Sequence, residues 1–338
     1  MIDFFIVIIL FVGFLISLGF MPAWIKKAKQ IGLKWKDMNK YEERFVAGSG
    51  GIIVVLSFFT SVFLLVGYSA FFRNFFGEEL LKLFALLTTI IFLAGIGFID
   101  DLMGWMEGGI SKKTKILLIL ISAIPLVAIN VGKSVVSMPF VGPIELGLFY
   151  VLVLIPMGIV GSSTIFNILA GFNGLEAGQG ILILSSLSLV AFAIGSPWLS
   201  IVVLCMVLSL LGFLIYNFSP AKVFPGDSLT IAVGGLIAVT AIIGNFEKIA
   251  VFFMIPYFLE AGLKIRGKLK KQSFGKPNQD GSLGLLYGKI YSLNHLAILF
   301  MKKLGVKSTE RRAVIMIWIF QIIVILVGLL IFRGGIFG

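Results

Sequence analysis

Cysteine occurs once, at Cys205 within an apolar run, which excludes an intrachain disulfide and a cysteine-based zinc site. Histidine also occurs once, at His295, so no second imidazole is available to pair with it. Charge is scarce: Asp, Glu, Lys and Arg make up 13% of 338 residues, against roughly 25% in a soluble domain. Acidic residues are the scarcer half, 16 against 28 Lys and Arg. No internal repeat and no low-complexity linker divides the chain, so it reads as one unit spanning 1–338.

What remains is apolar. Hydrophobic residues make up 59% of the chain and the mean hydropathy is +1.09, values that belong in a bilayer. Apolar runs predict helices near 2–21, 50–70, 80–99, 115–131, 146–165, 180–195, 198–216, 228–244, 249–264 and 313–332. That makes an all-α polytopic membrane protein of about ten spanning helices of about 20 residues each, which leaves little chain for a separate soluble domain. The first run, Ile2 to Phe20, begins with Asp3 and has its positive charges after it. It is therefore predicted to be a retained helix with its N-terminus outside, not a signal peptide.

The formal charge of +12 raises nucleic acid as a partner, but the basic residues fall in loops between apolar runs, where they set topology. No nucleic acid is expected. Segments 21–49, 100–114, 162–179, 217–227 and 265–312 hold nearly all the Lys and Arg and are predicted to face the cytoplasm. The alternate connections carry only Arg73, Lys133 and Lys248, which leaves both termini outside. In the last cytoplasmic segment, Leu283 to Leu304 has apolar residues at helical spacing with Lys289, Lys302 and Lys303 between them, and reads as an amphipathic helix on the inner membrane surface.

Chemistry then has few places to sit. Asp100-Asp101 is predicted to end the third helix, where two carboxylates repel each other and oppose the helix dipole, so a cation is called for. Lys115, opening the next helix, is the partner across the loop; a solvated helix end is the plain alternative. Asn167 through Gly178 sets Asn167, Asn173 and Glu176 among glycines, suited to close approach of a ligand or to a helix-packing seam. Phe224-Pro225-Gly226-Asp227 opens the eighth helix, with Asp227 either an N-cap or a magnesium ligand. His295 is read as structural. Carboxylates, amides and lysines on one membrane face, with no nucleophilic Ser or Cys motif, suit phosphoryl transfer, which works by placement and charge neutralisation.

These pieces, in order Asp37-Met38-Asn39-Lys40, Gly97 to Asp101, Asn167 to Gly178 and Val223 to Asp227, resemble the polyprenyl-phosphate N-acetylhexosamine 1-phosphate transferases over essentially the whole chain. The middle stretch looks like the archaeal and eukaryotic branch that uses UDP-N-acetylglucosamine and dolichyl phosphate. The resemblance implies about ten helices around a site dependent on Mg²⁺, with Mn²⁺ as a substitute. Asn167 and Asp227 would hold the metal, Asn173 and Phe224 would meet the uracil, and Asp100 and Asp101 would orient or deprotonate the acceptor phosphate. Lys115 would neutralise phosphate charge, while Asn39, Lys40, Glu176 and Lys276 complete the expected substrate contacts. Gly104 departs from relatives that carry Asp or Asn there, and Phe274 to Asp280 replaces their His- or Arg-bearing motif.

The expected reaction is transfer of N-acetylglucosamine 1-phosphate from the UDP-sugar to a polyprenyl phosphate in a prokaryotic, archaeal-type cell membrane, as an early step of glycan assembly. Another UDP-N-acetylhexosamine serving envelope polysaccharide is the nearest alternative, and a homodimer is an allowed assembly. Two rivals come from other classes. An intramembrane aspartyl protease would use Asp101 and Asp227 as a dyad; a secondary transporter would place its charges near the midplane and repeat its halves.

Overall fold

The computed structural model describes residues 4–132, 135–138 and 142–337. Met1 to Asp3 and Lys133, used above to orient the chain, lie outside the described residues. Among the described residues eight helices are long and apolar enough to cross a membrane: Phe4–Gln30, Gly51–Arg73, Gly77–Gly104, Gly147–Ile168, Leu175–Ala193, Pro197–Asn217, Asp227–Gly244 and Glu310–Ile331. The two remaining positions of the expected ten are occupied by broken helices. Lys112–Ser122 is followed by Ile124–Ala128, and Glu247–Phe253 by Ile255–Arg266. Pro125 and Pro256 stand at the start of the second piece in each case, where the missing N–H interrupts the hydrogen-bond ladder.

Several boundaries move in ways that matter for the site. The first helix does not stop at residue 21 but runs through Pro22 to Gln30, so Lys27 and Lys29 sit on its last turn, complementing the helix dipole. The third runs to Glu107, so Asp100 and Asp101 lie within the helix and not at its end. The sixth begins at Leu175, which places Glu176 in its first turn and not in a loop. The predicted surface helix shortens to Leu293–Lys303, because Leu283–Gly284 pairs as a strand with Lys276–Pro277 and Ser292 caps the helix by accepting from the Asn294 N–H. A second short hairpin pairs Lys34–Lys36 with Phe45–Ala47.

Asp227–Gly244 is the central helix, with nearly all of its side chains buried. Between membrane helices the driving force is close packing, and small residues permit it. A Cβ on Gly234 would come within 2.7 Å of the Ser162 carbonyl oxygen, and Ser162 Oγ donates to the Gly234 carbonyl at 2.5 Å. On its other side, Gly97 lets the third helix press against the first turn of this one. The central helix is thereby fixed in depth and rotation, and its N-terminal residue, Asp227, is fixed with it.

Candidate active site

A cavity of ≈480 Å³ lies at one end of the helix bundle. Its lining draws on each of the five segments predicted to share one face: Asp37 and Asn39, Asp101, Asn167 and Asn173, Phe224 and Asp227, and Phe274. Residues separated by more than two hundred positions thus meet at one place.

The carboxylate side of the cavity is built around the start of the central helix. Gly226 is the N-cap, at φ +73°, and has no side chain to offer the helix. Asp101 supplies the cap from the neighbouring helix instead: Oδ1 accepts from the Asp227 N–H at 2.7 Å and Oδ2 from the Ser228 N–H at 3.3 Å. Glycine is required at 226, because a Cβ there would collide with the Asp101 carboxylate. Asp227 is therefore free of capping duty, and its Oδ2 accepts from Lys115 Nζ at 2.7 Å. The same ammonium donates to Asp100 Oδ2 at 2.6 Å, while Asp100 Oδ1 accepts from the Ile110 N–H at 2.7 Å. Lys115 thus bridges Asp100 and Asp227, and is held there because Ser111 starts its helix by accepting from the Thr114 N–H. Asp100 and Lys115 stand outside the cavity lining; Asp101 and Asp227 form part of it.

This arrangement speaks against an aspartyl dyad. Asp101 accepts two backbone N–H groups and Asp227 accepts from a lysine, so neither oxygen pair is arranged to share a proton with the other. Asp101→Ala is expected to lower stability by about 1–2 kcal/mol, the usual loss for a helix cap, and to lower turnover further by freeing Asp227. Thermal unfolding and rate measured on one preparation would separate these effects; a rate that tracks stability alone would remove the positioning role.

The opposite side is an amide and carboxylate network. Asn173 Nδ2 donates to Asp37 Oδ2 at 2.9 Å and to Glu310 Oε2 at 3.3 Å, and its backbone N–H donates to Glu310 Oε1 at 2.9 Å. Asn39 Nδ2 donates to the Gly171 carbonyl at 2.6 Å and to Glu310 Oε1 at 3.2 Å, while its Oδ1 accepts from the Gly275 N–H at 3.1 Å. Lys40, outside the lining, pairs with Glu310, and Ser219 Oγ donates to the same carboxylate at 2.8 Å. Glu176 is buried in the lining and accepts from the Gly171 N–H at 3.3 Å. Phe224 and Asn167 line the cavity half-buried, and Lys276 lies on an exposed strand outside it.

Asp37 heads one of the four sequence motifs but carries no role there, and Glu310 is not marked by sequence at all. Glu310 looks like an ordinary acidic residue in the first turn of a helix, behind a Thr309 cap, and nothing local marks it as a hub. His295, read as structural, proves to be a latch. Its Nδ1 accepts from the Tyr291 N–H at 3.3 Å, so Nε2 carries the proton donated to the Phe274 carbonyl at 3.0 Å. Burial, with Lys264 adding to it, holds its pKa below the usual imidazole range against the pull of that carbonyl, and the ring stays neutral. Asn294 beside it donates to the carbonyls of Ala170 and Ser273 at 3.1 and 3.2 Å, tying the last loop to the Gly-rich loop.

Carboxylates and amides converge on one cavity at an end of a bundle of membrane-length helices, and similar proteins place that bundle in a class, integral membrane enzymes that transfer sugar phosphates. The sequence pattern of glycosyl transferase family 4 matches residues 83–245. A protein of Saccharolobus solfataricus, provisionally named a UDP-N-acetylglucosamine–dolichyl-phosphate N-acetylglucosaminephosphotransferase, is 32% identical over 87% of this chain and 86% of its own length. A protein of Sulfolobus acidocaldarius with the same provisional name is 32% identical over 92% of each chain. The phospho-N-acetylmuramoyl-pentapeptide-transferase of Streptococcus pneumoniae is 28% identical over 75% of this chain and 82% of its own. The chain belongs to glycosyl transferase family 4.

Proposed function

We propose that this enzyme transfers N-acetylglucosamine 1-phosphate from UDP-N-acetylglucosamine to a dolichyl-type polyprenyl phosphate. An acceptor phosphate oxygen attacks the β-phosphorus, the bond from that phosphorus to the bridging oxygen breaks, and UMP leaves. The observation that carries this reading is the convergence of Asp101, Asn167, Asn173, Phe224 and Asp227, from three separated motifs, on one cavity. The names given to the two archaeal relatives support the choice of sugar and lipid.

The donor set fits Mg²⁺. Among the described residues no group of three or more His, Cys, Asp or Glu side chains encloses a metal position. The cavity offers instead the Asp227 carboxylate and the Asn167 amide oxygen. An incomplete shell of oxygens suits Mg²⁺, which takes one or two carboxylates and retains places for water and substrate phosphate. Asp227 and Asn167 would hold the ion, with Mn²⁺ able to replace it. When bound, the ion supplies neutralisation of the diphosphate charge. Lys115 holds the Asp227 carboxylate in place and brings positive charge beside it. Asp101 acts by seating the first turn of the helix, and Asp100 by fixing Lys115. Phe224 presents a ring for the base, and the basic loops on the same side, taken as cytoplasmic, draw in both anionic substrates. The test is purified full-length protein with UDP-N-acetylglucosamine, dolichyl phosphate and Mg²⁺. UMP release is expected, and its absence with every UDP-sugar and prenyl length would overturn the proposal.

A further inference from the structure

The helix Leu293–Lys303 has two faces that meet different surroundings. Its inner face is tied to the cavity. Asn294 and His295 are fully buried and donate to the carbonyls of Ala170, Ser273 and Phe274, of which Ala170 and Phe274 belong to residues that line the cavity. Its start is held by buried Glu260, whose Oε2 accepts from the Leu293 N–H at 2.6 Å and from Ser292 Oγ at 3.1 Å. The outer face carries Leu296 and Phe300, continued by Leu304, each four residues from the last; they are 45%, 52% and 60% exposed. Lys303 falls on the same stripe by helical spacing and Lys302 flanks it, both exposed.

An apolar stripe edged by lysines, at the end of a bundle of membrane-length helices, matches an anionic leaflet: apolar side chains enter between the head groups while ammonium groups pair with phosphate. The charge around the stripe has one sign. From residue 261 to 309 the sole acidic residue is Asp280, against ten lysines and arginines, and Lys307 lies 3.7 Å from that carboxylate. A second copy of the chain would set like charge against like, and nucleic acid would leave the stripe in water. We infer that this helix is a clamp: its outer face grips an anionic phospholipid surface, and through Asn294 and His295 that grip holds the two loops that wall the cavity, so that lipid charge sets the rate. This rests on the catalytic reading of the cavity given above, and adds to it a partner and a control.

The test uses the full-length protein with Leu304→Cys carrying an environment-sensitive fluorophore; the native Cys205 is buried and escapes the label. It is reconstituted with Mg²⁺ into vesicles of phosphatidylcholine alone and of phosphatidylcholine mixed with phosphatidylglycerol. In the mixed vesicles the fluorophore is expected to shift to the blue as it enters the apolar zone. UMP release from UDP-N-acetylglucosamine and dolichyl phosphate should rise there by about 5-fold or more, the effect of one lysine at an anionic surface. Both responses should fade at high salt. Lys302→Gln combined with Lys303→Gln should keep the rate seen in phosphatidylcholine, since neither lysine lines the cavity, and lose the response to phosphatidylglycerol. A rise in rate that survives in that variant would overturn the inference, because the lipid would then act elsewhere. A label left in water in both kinds of vesicle, or a wild-type rate indifferent to phosphatidylglycerol, overturns it equally. If neither vesicle supports UMP release the proposed function falls, while the label's shift, present or absent, still decides whether the helix grips the leaflet.

Discussion

Replacing Asp227 with alanine is expected to cut UMP release by about 10²–10³-fold or more, the scale on which single charge-organising groups act in transferases and hydrolases, while leaving the protein folded. The fold survives because the helix start does not depend on this side chain. Its cap is the Asp101 carboxylate, which accepts the backbone N–H of residue 227 and would accept it equally from alanine. Lys115 also keeps a partner in Asp100. What disappears is the carboxylate that lines the cavity and, on the proposed reading, meets the metal. Asp227→Asn retains an oxygen without the charge and should raise the Mg²⁺ concentration needed for half-maximal rate. A near-normal rate in the alanine variant would take Asp227 out of the metal site.

Gly97→Val should be damaging in a different way, lowering both thermal stability and turnover. A Cβ at residue 97 would lie 2.5 Å from the Asp227 carbonyl carbon and 2.6 Å from the Ser228 nitrogen. Both atoms are backbone, so no side chain can move aside and the two helices must part. Overpacking of this sort costs about 1–3 kcal/mol in a well-packed core. The separation falls where Asp101 reaches across to the Asp227 and Ser228 N–H groups, so the loss of rate should exceed what the loss of stability explains. Unfolding temperature and UMP release on the same preparation would show this. Wild-type values for both would mean that the close approach at Gly97 is dispensable.

How far the sequence could be read depended on whether the governing forces were local. Long apolar runs located the spans because hydropathy acts along the chain. The breaks at Pro125 and Pro256 were missed even though proline was visible, since a proline alone does not decide a break: Pro22 sits inside an unbroken helix. The Asp100–Lys115 contact was legible because two adjacent carboxylates call for a cation and Lys115 opens the next helix. That Lys115 also reaches Asp227, and that Asp101 caps a distant helix, were not, because both depend on the third helix lying against the central one. The surface helix was drawn too long: helical spacing from 283 onward continues across Gly284 and Gly288, where the backbone is in fact a strand and loop. Glu310 was unreadable for the same reason at larger scale, its partners lying at 39, 40, 173 and 219.

Residue 310 also has a place in time. The stretch matched by the family pattern, 83–245, contains Asp100, Asp101, Lys115, Asn167 and Asp227, and a ribosome finishes it while Glu310 is still unmade. Chains emerge N-terminus first, at about 5–20 residues per second. For several seconds this side of the site can therefore exist in the membrane without the carboxylate that gathers Asn39, Lys40 and Asn173. The amide side of the cavity is thus completed only when the chain beyond residue 309 has been made, and the two sides of the site are assembled at different times.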